Sequence, residues 1–298
     1  MTAGLGTRLR PLSYVRAKPA VPVAGEPLVR RILRYGASWG VRDFVLNLHY
    51  LPETITAQVG DGTDLGVRVR YSFESPVLGS AGGPRKALDL LPDDPFFIIN
   101  GDTLTNVDLD ALAEHHRASS ALVTIAVVPN EHPDRYGGLI LDSTGRFHSV
   151  VPRGSRVRSY HVVGVQMANP SAFARLPLNQ PAESIGALYK ELVKENLGHV
   201  RAFLCDADFW DVGTAADYLS ACLSIASAEG SALQPGRRSH VDRSARVSDS
   251  VIWDDVSVGA GATLERCVVA DGAEIPAGAS FSSCAIIQRD GELVVADI

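Results

Sequence analysis

From about residue 27 to 230 the apolar positions alternate between helical and extended spacing. In PLVRRILRYGASWG, Leu28, Ile32, Tyr35 and Trp39 recur at helical intervals, opening after Pro27 and closing at Gly40, which predicts a helix. DFVLNL predicts a short strand. In VRVRYSF the apolar Val67, Val69, Tyr71 and Phe73 alternate with Arg68, Arg70 and Ser72, as in a strand covered on one face. FFIIN (96–100) and ALVTIAVV (121–128) are unbroken apolar runs, the pattern of strands buried on both faces of a mostly parallel sheet. The class is therefore α/β.

Near residue 230 the pattern changes. AEGSALQPGRRS has the small, Gly- and Pro-containing composition of a linker. Beyond it, Val241, Val247, Val251, Val256, Val258, Leu264, Val268 and Ile275 recur at short, hexad-like spacing among small residues such as Gly259-Ala260-Gly261-Ala262. Strands so short, with so few helix signals between them, predict a stack of β-solenoid coils in preference to a fragment of β-sandwich. The expected division is a first domain over 1–230 and a second over 238–290.

A chain of 298 residues, 46% of them hydrophobic, buries a sizeable core. Its net charge of −6 argues against nucleic acid as a partner, and no apolar run reaches the length of a membrane span. Any basic chemistry must be local. Cys205, Cys222, Cys267 and Cys284 are scattered without CxxC or His spacing, which fits a reducing compartment better than a disulfide framework or a metal site. The N-terminus lacks a signal peptide's apolar core, so the expected location is the cytoplasm.

Positive charge does concentrate at AGLGTRLRPL (3–12). A glycine-rich turn after a strand brings backbone N–H groups close to phosphate oxygens, and neighbouring arginines add the charge that amides lack. GxG alone is most often only a turn. Downstream, Lys18 stands before Pro19 on a segment stiffened again at Pro22 and Pro27, so its ammonium is presented in a fixed direction. Asp102 follows the apolar run 96–100, and the carboxyl ends of strands are where open α/β sheets bind ligands. Thr214 with Asp217 reads as a capping box at the start of a helix.

Taken together, AGLGTRLRPLSYVRAKPAVPVAGEPL resembles the signature of the sugar-1-phosphate nucleotidylyltransferases, whose pattern is a GTRLxPLT loop, a PKP segment and a PVxGxPL continuation. VLGSAGGPRKAL is similar to that family's LGTAG segment, FFIINGDTLTNVDL to its strand ending in GD, and FWDVGTAADYLSA to its W-x-D-x-GT turn. The resemblance runs from residue 1 to about 228 and continues into the tail, as in mannose-1-phosphate guanylyltransferase-like members with a left-handed β-helix. It implies a Rossmann-like, mostly parallel sheet of the nucleotide-diphospho-sugar transferase type, followed by a short left-handed β-helix.

The activity implied is attack by a sugar 1-phosphate on the α-phosphate of a nucleoside triphosphate, giving a nucleotide sugar and pyrophosphate. By the same resemblance Gly4, Gly6 and Thr7 offer backbone amides to the triphosphate, Arg8 holds the departing phosphates and Lys18 sits near the α-phosphate. Asp102 and Asp211 carry Mg2+. Ala3, Gly79 and Glu74 line the base pocket, and Gly138 and Gly164 approach the sugar. Mannose 1-phosphate with GTP is the leading substrate pair, with UTP or dTTP and other sugars kept open. The solenoid is expected to cover an edge or to mediate self-association.

Two departures stand out. The family's Glu-Lys-Pro is replaced by Val150-Val151-Pro152-Arg153, which makes Arg153 the candidate to supply the missing lysine's charge. Only Met1, Thr2 and Ala3 precede the Gly loop where the family has an apolar strand, so the expected explanation is a start assigned too late. These departures keep a non-catalytic, nucleotide-sugar-binding subunit in play. A hexapeptide-repeat acyltransferase is disfavoured, because His240, the one histidine of the tail, lies at the linker edge.

Overall fold

The computed structural model describes all 298 residues. They form two compact units, one of residues 1–4, 32–49 and 60–209 and the other of residues 5–31, 50–59 and 210–298.

In the first unit the sheet is built on the Tyr160–Ala168 strand. It runs antiparallel to Val123–Pro129 along one side, and on the other to Phe96–Ile99 over one half and to Gly138–Leu141 at Tyr160. Val200–Leu204 lies parallel to Val123–Pro129, and the Phe147–Val151 strand closes a hairpin with Gly138–Leu141. The sheet is thus mixed, with one reversed strand between parallel neighbours. Val123 through Val128 are all buried, as the unbroken apolar run predicts. The helix Leu109–Arg117 lays Leu109, Leu112 and Ala113 against Ala126, Val163 and Val165.

Asp43–Leu48 and Arg68–Phe73 form a separate parallel pair. Met1 and Thr2 lie between it and Phe96–Ile99. The Met1 amino group donates to the Ile99 carbonyl at 2.7 Å, and Thr2 Oγ1 donates to the Asn47 carbonyl at 2.5 Å. One alternation fails in this pair: Ser72 is 4% exposed and Phe73 58%. Ser72 pairs in register with buried Asn47, whose side chain is hydrogen-bonded to buried Glu74.

In the second unit the helix Ala215–Ala228 opens on the Thr214–Asp217 capping box, with both reciprocal bonds made. The tail coils through three stacks of short parallel strands, consistent with a left-handed β-helix. Its repeat is 17 residues, one short of three hexads, so that Ser250 Oγ accepts from the Cys267 N–H one coil later. Val241, Val258 and Ile275 stack on one another, and the interior also holds Leu264 and Ile286. An unforeseen hairpin ends the stack, Cys284–Arg289 pairing antiparallel with Glu292–Asp297. No helix is long and apolar enough to cross a membrane.

Candidate active site

The second unit gathers the loop residues and Asp211. Gly6 adopts the left-handed conformation at φ 61°, and its carbonyl accepts from Leu9 N at 3.0 Å and from Ser13 Oγ at 2.8 Å. A Cβ on Gly6 would stand 3.2 Å from Ser13 Cβ and 3.5 Å from Lys18 Cβ, so the bare backbone is what lets the loop lie against the lysine stem. Lys18 is only 7% exposed and begins the turn Lys18–Ala20. That turn is held from before, where Ala17 N donates to Thr54 Oγ1 at 3.1 Å.

Arg8 and Asp211 meet at Gly213. A Cβ there would sit 2.9 Å from Asp211 Oδ2 and 3.2 Å from Arg8 Nη1, so the guanidinium and the carboxylate flank one glycine of the Asp211–Thr214 turn. Reading GT as part of a motif did not single out Gly213. The signal was the requirement for a residue without a side chain between two charged groups.

In the first unit Thr2 N donates to Asn47 Oδ1 at 2.6 Å, and Asn47 Nδ2 donates to Glu74 Oε1 at 2.7 Å. Glu74 Oε2 accepts from Leu78 N at 2.7 Å. Both oxygens of this buried carboxylate are therefore engaged by the protein, and the network ties the start of the chain, with buried Ala3 and open Gly4, to the LGSAGG segment. Gly83 makes room for it, since a Cβ there would lie 2.7 Å from Glu74 Oε1. Gly79, at φ +75°, packs where a Cβ would be 2.8 Å from the Ala182 carbonyl. Asn47 and Gly83 escaped the sequence reading, because nothing local marks a residue whose partners are distant.

Asp102 is half-buried just past the Phe96–Ile99 strand, with Thr103 Oγ1 3.4 Å from its Oδ1. Gly164 faces the same turn. Its carbonyl accepts from Asn100 N at 2.8 Å, and at φ +80° a Cβ would stand 3.3 Å from Thr103 Cβ. Gly138 is buried against Ser159, whose Cβ would be 2.6 Å from any side chain placed there. Arg153 is exposed, and its segment is folded back by the bond from Gly154 N to the Pro133 carbonyl at 2.7 Å. That fold brings the Arg153 backbone to 3.6 Å from a Cβ on Gly137, next to Gly138.

An aromatic stack lies in this unit as well. The His161 ring centroid is 4.2 Å from that of Tyr136 and 4.7 Å from that of Phe209. Burial lowers the imidazole to about 4, so it is neutral at physiological pH. Nowhere do three His, Cys, Asp or Glu side chains converge as a ready-made metal cage. Asp102 and Asp211 nonetheless carry the hard carboxylate oxygens that suit Mg2+, which takes its other ligands from phosphates and water.

The family model described as nucleotidyl transferase matches residues 1–228, and that described as GlmU-like, C-terminal hexapeptide matches residues 218–282. The mannose-1-phosphate guanylyltransferase of Mycobacterium tuberculosis is 26% identical over 89% of this chain and 82% of its own length. A UTP–glucose-1-phosphate uridylyltransferase of Synechocystis is 28% identical over 87% of this chain and 71% of its own. The crystal structure of HddC from Yersinia pseudotuberculosis complexed with GMP-PN superposes with a TM-score of 0.64 at 25% identity, covering 75% of this chain and 96% of that one. The chain belongs to the nucleotidyl transferase family and is a sugar-1-phosphate nucleotidylyltransferase with a hexapeptide-repeat tail.

Proposed function

We propose that the chain condenses GTP with mannose 1-phosphate or a related sugar 1-phosphate, releasing pyrophosphate, in the cytoplasm and as a homo-oligomer. Residues 1–230 form the catalytic domain in this reading, and 238–290 the β-helix. The observation that carries it is the convergence of Arg8 and Asp211 on Gly213, in the same unit as the Gly6 loop and buried Lys18. The guanylyltransferase and the GMP-PN complex among its relatives favour guanine.

Two anions must be brought in line, and charge growing on the α-phosphate and the leaving pyrophosphate must be neutralised. Amides of Gly4, Gly6 and Thr7 hold the triphosphate. Arg8 takes the departing phosphates, and Lys18 meets the α-phosphate with its ammonium held in place by the stiff segment around it. Asp102 and Asp211 would hold Mg2+, which when bound would supply electrostatic stabilisation of the transferring phosphate. Ala3 and Gly79 line the base pocket, with Glu74 holding its backbone. Gly138, Gly164 and Arg153 face the sugar phosphate, Arg153 supplying the charge of the absent lysine.

The test is pyrophosphate release with Mg2+ across GTP, UTP, dTTP, ATP and CTP against mannose-, glucose- and N-acetylglucosamine 1-phosphates, with Asp102→Asn as control. Activity confined to GTP and mannose 1-phosphate and abolished in Asp102→Asn is the expected result. A preference for UTP would favour the second reading, a uridylyltransferase, which the Synechocystis relative supports. Silence in every combination would leave a nucleotide-sugar-binding subunit.

A further inference from the structure

Arg16 stands two residues before Lys18 and is 8% exposed, yet its charge is fully engaged by the tail. Its Nε and Nη2 donate to the two oxygens of Asp271 at 2.6 and 2.7 Å, and Nη2 also donates to Asp254 at 2.8 Å. Asp254 and Asp271 occupy equivalent positions on successive coils, and the Asp254 N–H donates to Asp271 Oδ1 at 3.0 Å. The guanidinium also lies 5.4 Å from the centroid of the Trp253 ring. A planar fork held by two carboxylates and an aromatic face has little freedom left.

Trp253 reaches the other flank of Lys18 as well. Its Nε1 donates to Tyr218 Oη at 2.9 Å, and Tyr218 Oη donates to the Pro22 carbonyl. Tyr218 belongs to the helix Ala215–Ala228, whose cap Thr214 follows Asp211 and Gly213 directly. Trp253 is fully buried. One solenoid side chain therefore ties together the segment on both sides of Lys18 and the helix that continues from Asp211, all within one compact unit.

We propose that Arg16, Trp253, Asp254 and Asp271 form a positioning node through which the β-helix sets the placement of Lys18 and Asp211 for phosphoryl transfer. None of the four touches substrate. The node acts on catalysis only through the residues it holds, and its catalytic part rests on the nucleotidyltransferase reading above. A buried ion pair of this kind adds little net stability after desolvation, so its contribution lies in fixing one geometry.

The experiment compares Asp271→Asn, Trp253→Phe and Arg16→Lys with Asp255→Asn. Asp255, the neighbour of Asp254, makes an equally close two-bond pair with Arg238 one coil earlier, at 2.6 Å for each bond, on the exposed surface. The three node variants are expected to lose at least tenfold in kcat with KM for the nucleotide changed less than threefold, and Asp255→Asn to match the parent chain. Combined with Lys18→Ala, Asp271→Asn is expected to add clearly less than its own single loss, because part of its effect passes through the lysine and only the part carried to Asp211 remains. Full multiplication of the two losses would show a merely structural role and overturn the proposal.

Amide hydrogen exchange supplies a readout independent of turnover. Exchange at residues 17–21 and 214–218 should accelerate in Asp271→Asn and Trp253→Phe and not in Asp255→Asn. Unchanged exchange in both segments overturns the node whatever the turnover. An inactive parent chain with accelerated exchange in the variants would refute the proposed reaction and leave the node standing.

Discussion

Replacing Glu74 by glutamine tests how the start of the nucleotide loop is held. The carboxylate accepts from Asn47 Nδ2 and Leu78 N, both at 2.7 Å, and its neighbourhood is closed by Gly83. Glutamine has nearly the same shape but one acceptor fewer, so its amide nitrogen must face either the Asn47 or the Leu78 N–H. Loss of one charge-assisted bond in a buried site, with a donor left unsatisfied, costs about 2–3 kcal/mol. For a chain of this size that lowers Tm by roughly 3–5 °C. Asn47 also receives the Thr2 N–H at 2.6 Å, so the disturbance travels to residues 2–4 and should raise KM for the nucleoside triphosphate several-fold while leaving KM for the sugar phosphate alone. Calorimetry and initial rates varied in each substrate measure both effects. A Glu74→Gln chain that melts within a degree of the parent and keeps its nucleotide KM would refute the reasoning, because the two donors would then have found partners elsewhere.

Gly213→Ala should lower kcat by at least tenfold in a pyrophosphate-release assay, since the new Cβ would stand 2.9 Å from Asp211 Oδ2 and must push it or Arg8 aside; unchanged kcat would show that neither group needs its present place. His161 gives a pH dependence of stability. Its folded value of about 4 lies below the ordinary 6.5, so the unfolded chain binds more protons between those limits and stability rises as pH rises through that window. The upper limit of this contribution is about 3 kcal/mol, reduced by the partial exposure of the ring. Urea unfolding at pH 4.5 and 7 should show a smaller pH difference for His161→Phe than for the parent, and equal differences would refute the assignment.

Much of the fold is legible in residue order because local rules act locally. The stripe Leu28, Ile32, Tyr35, Trp39 gives the helix Leu28–Ser38, and the apolar run through Val123–Val128 gives a strand buried on both faces. The Tyr160–Ala168 strand, central to its sheet, escaped because Gly164 and Gln166 interrupt its apolar run, and both interruptions have tertiary causes. Gly164 marks a shift in register, and Gln166 accepts from buried Tyr189 at 2.5 Å. The solenoid was visible as a repeat, but hexad spacing hid a period of 17 that only the stacking of Val241, Val258 and Ile275 reveals. In the site, the charged residues and the loop glycines Gly4 and Gly6 announced themselves by motif, whereas Gly83 and Gly213 emerge only from their packing. The groups that hold the charged residues did not announce themselves either, since Arg16 finds its partners 238 and 255 residues away.

The 17-residue coil also limits how this tail can change in length. Each coil advances the stack by one strand spacing of about 4.8 Å, and equivalent positions on successive coils are what bring Asp254 and Asp271 to the same guanidinium. A single inserted residue between them would turn one carboxylate off that line. A whole added coil beyond Asp271 would lengthen the rod and leave both in place. Over evolutionary time, or in a designer's hands, the tail can change length only in whole turns, and an added turn must also replace the far-end contact in which the Arg289 guanidinium lies 5.8 Å from the Tyr14 ring.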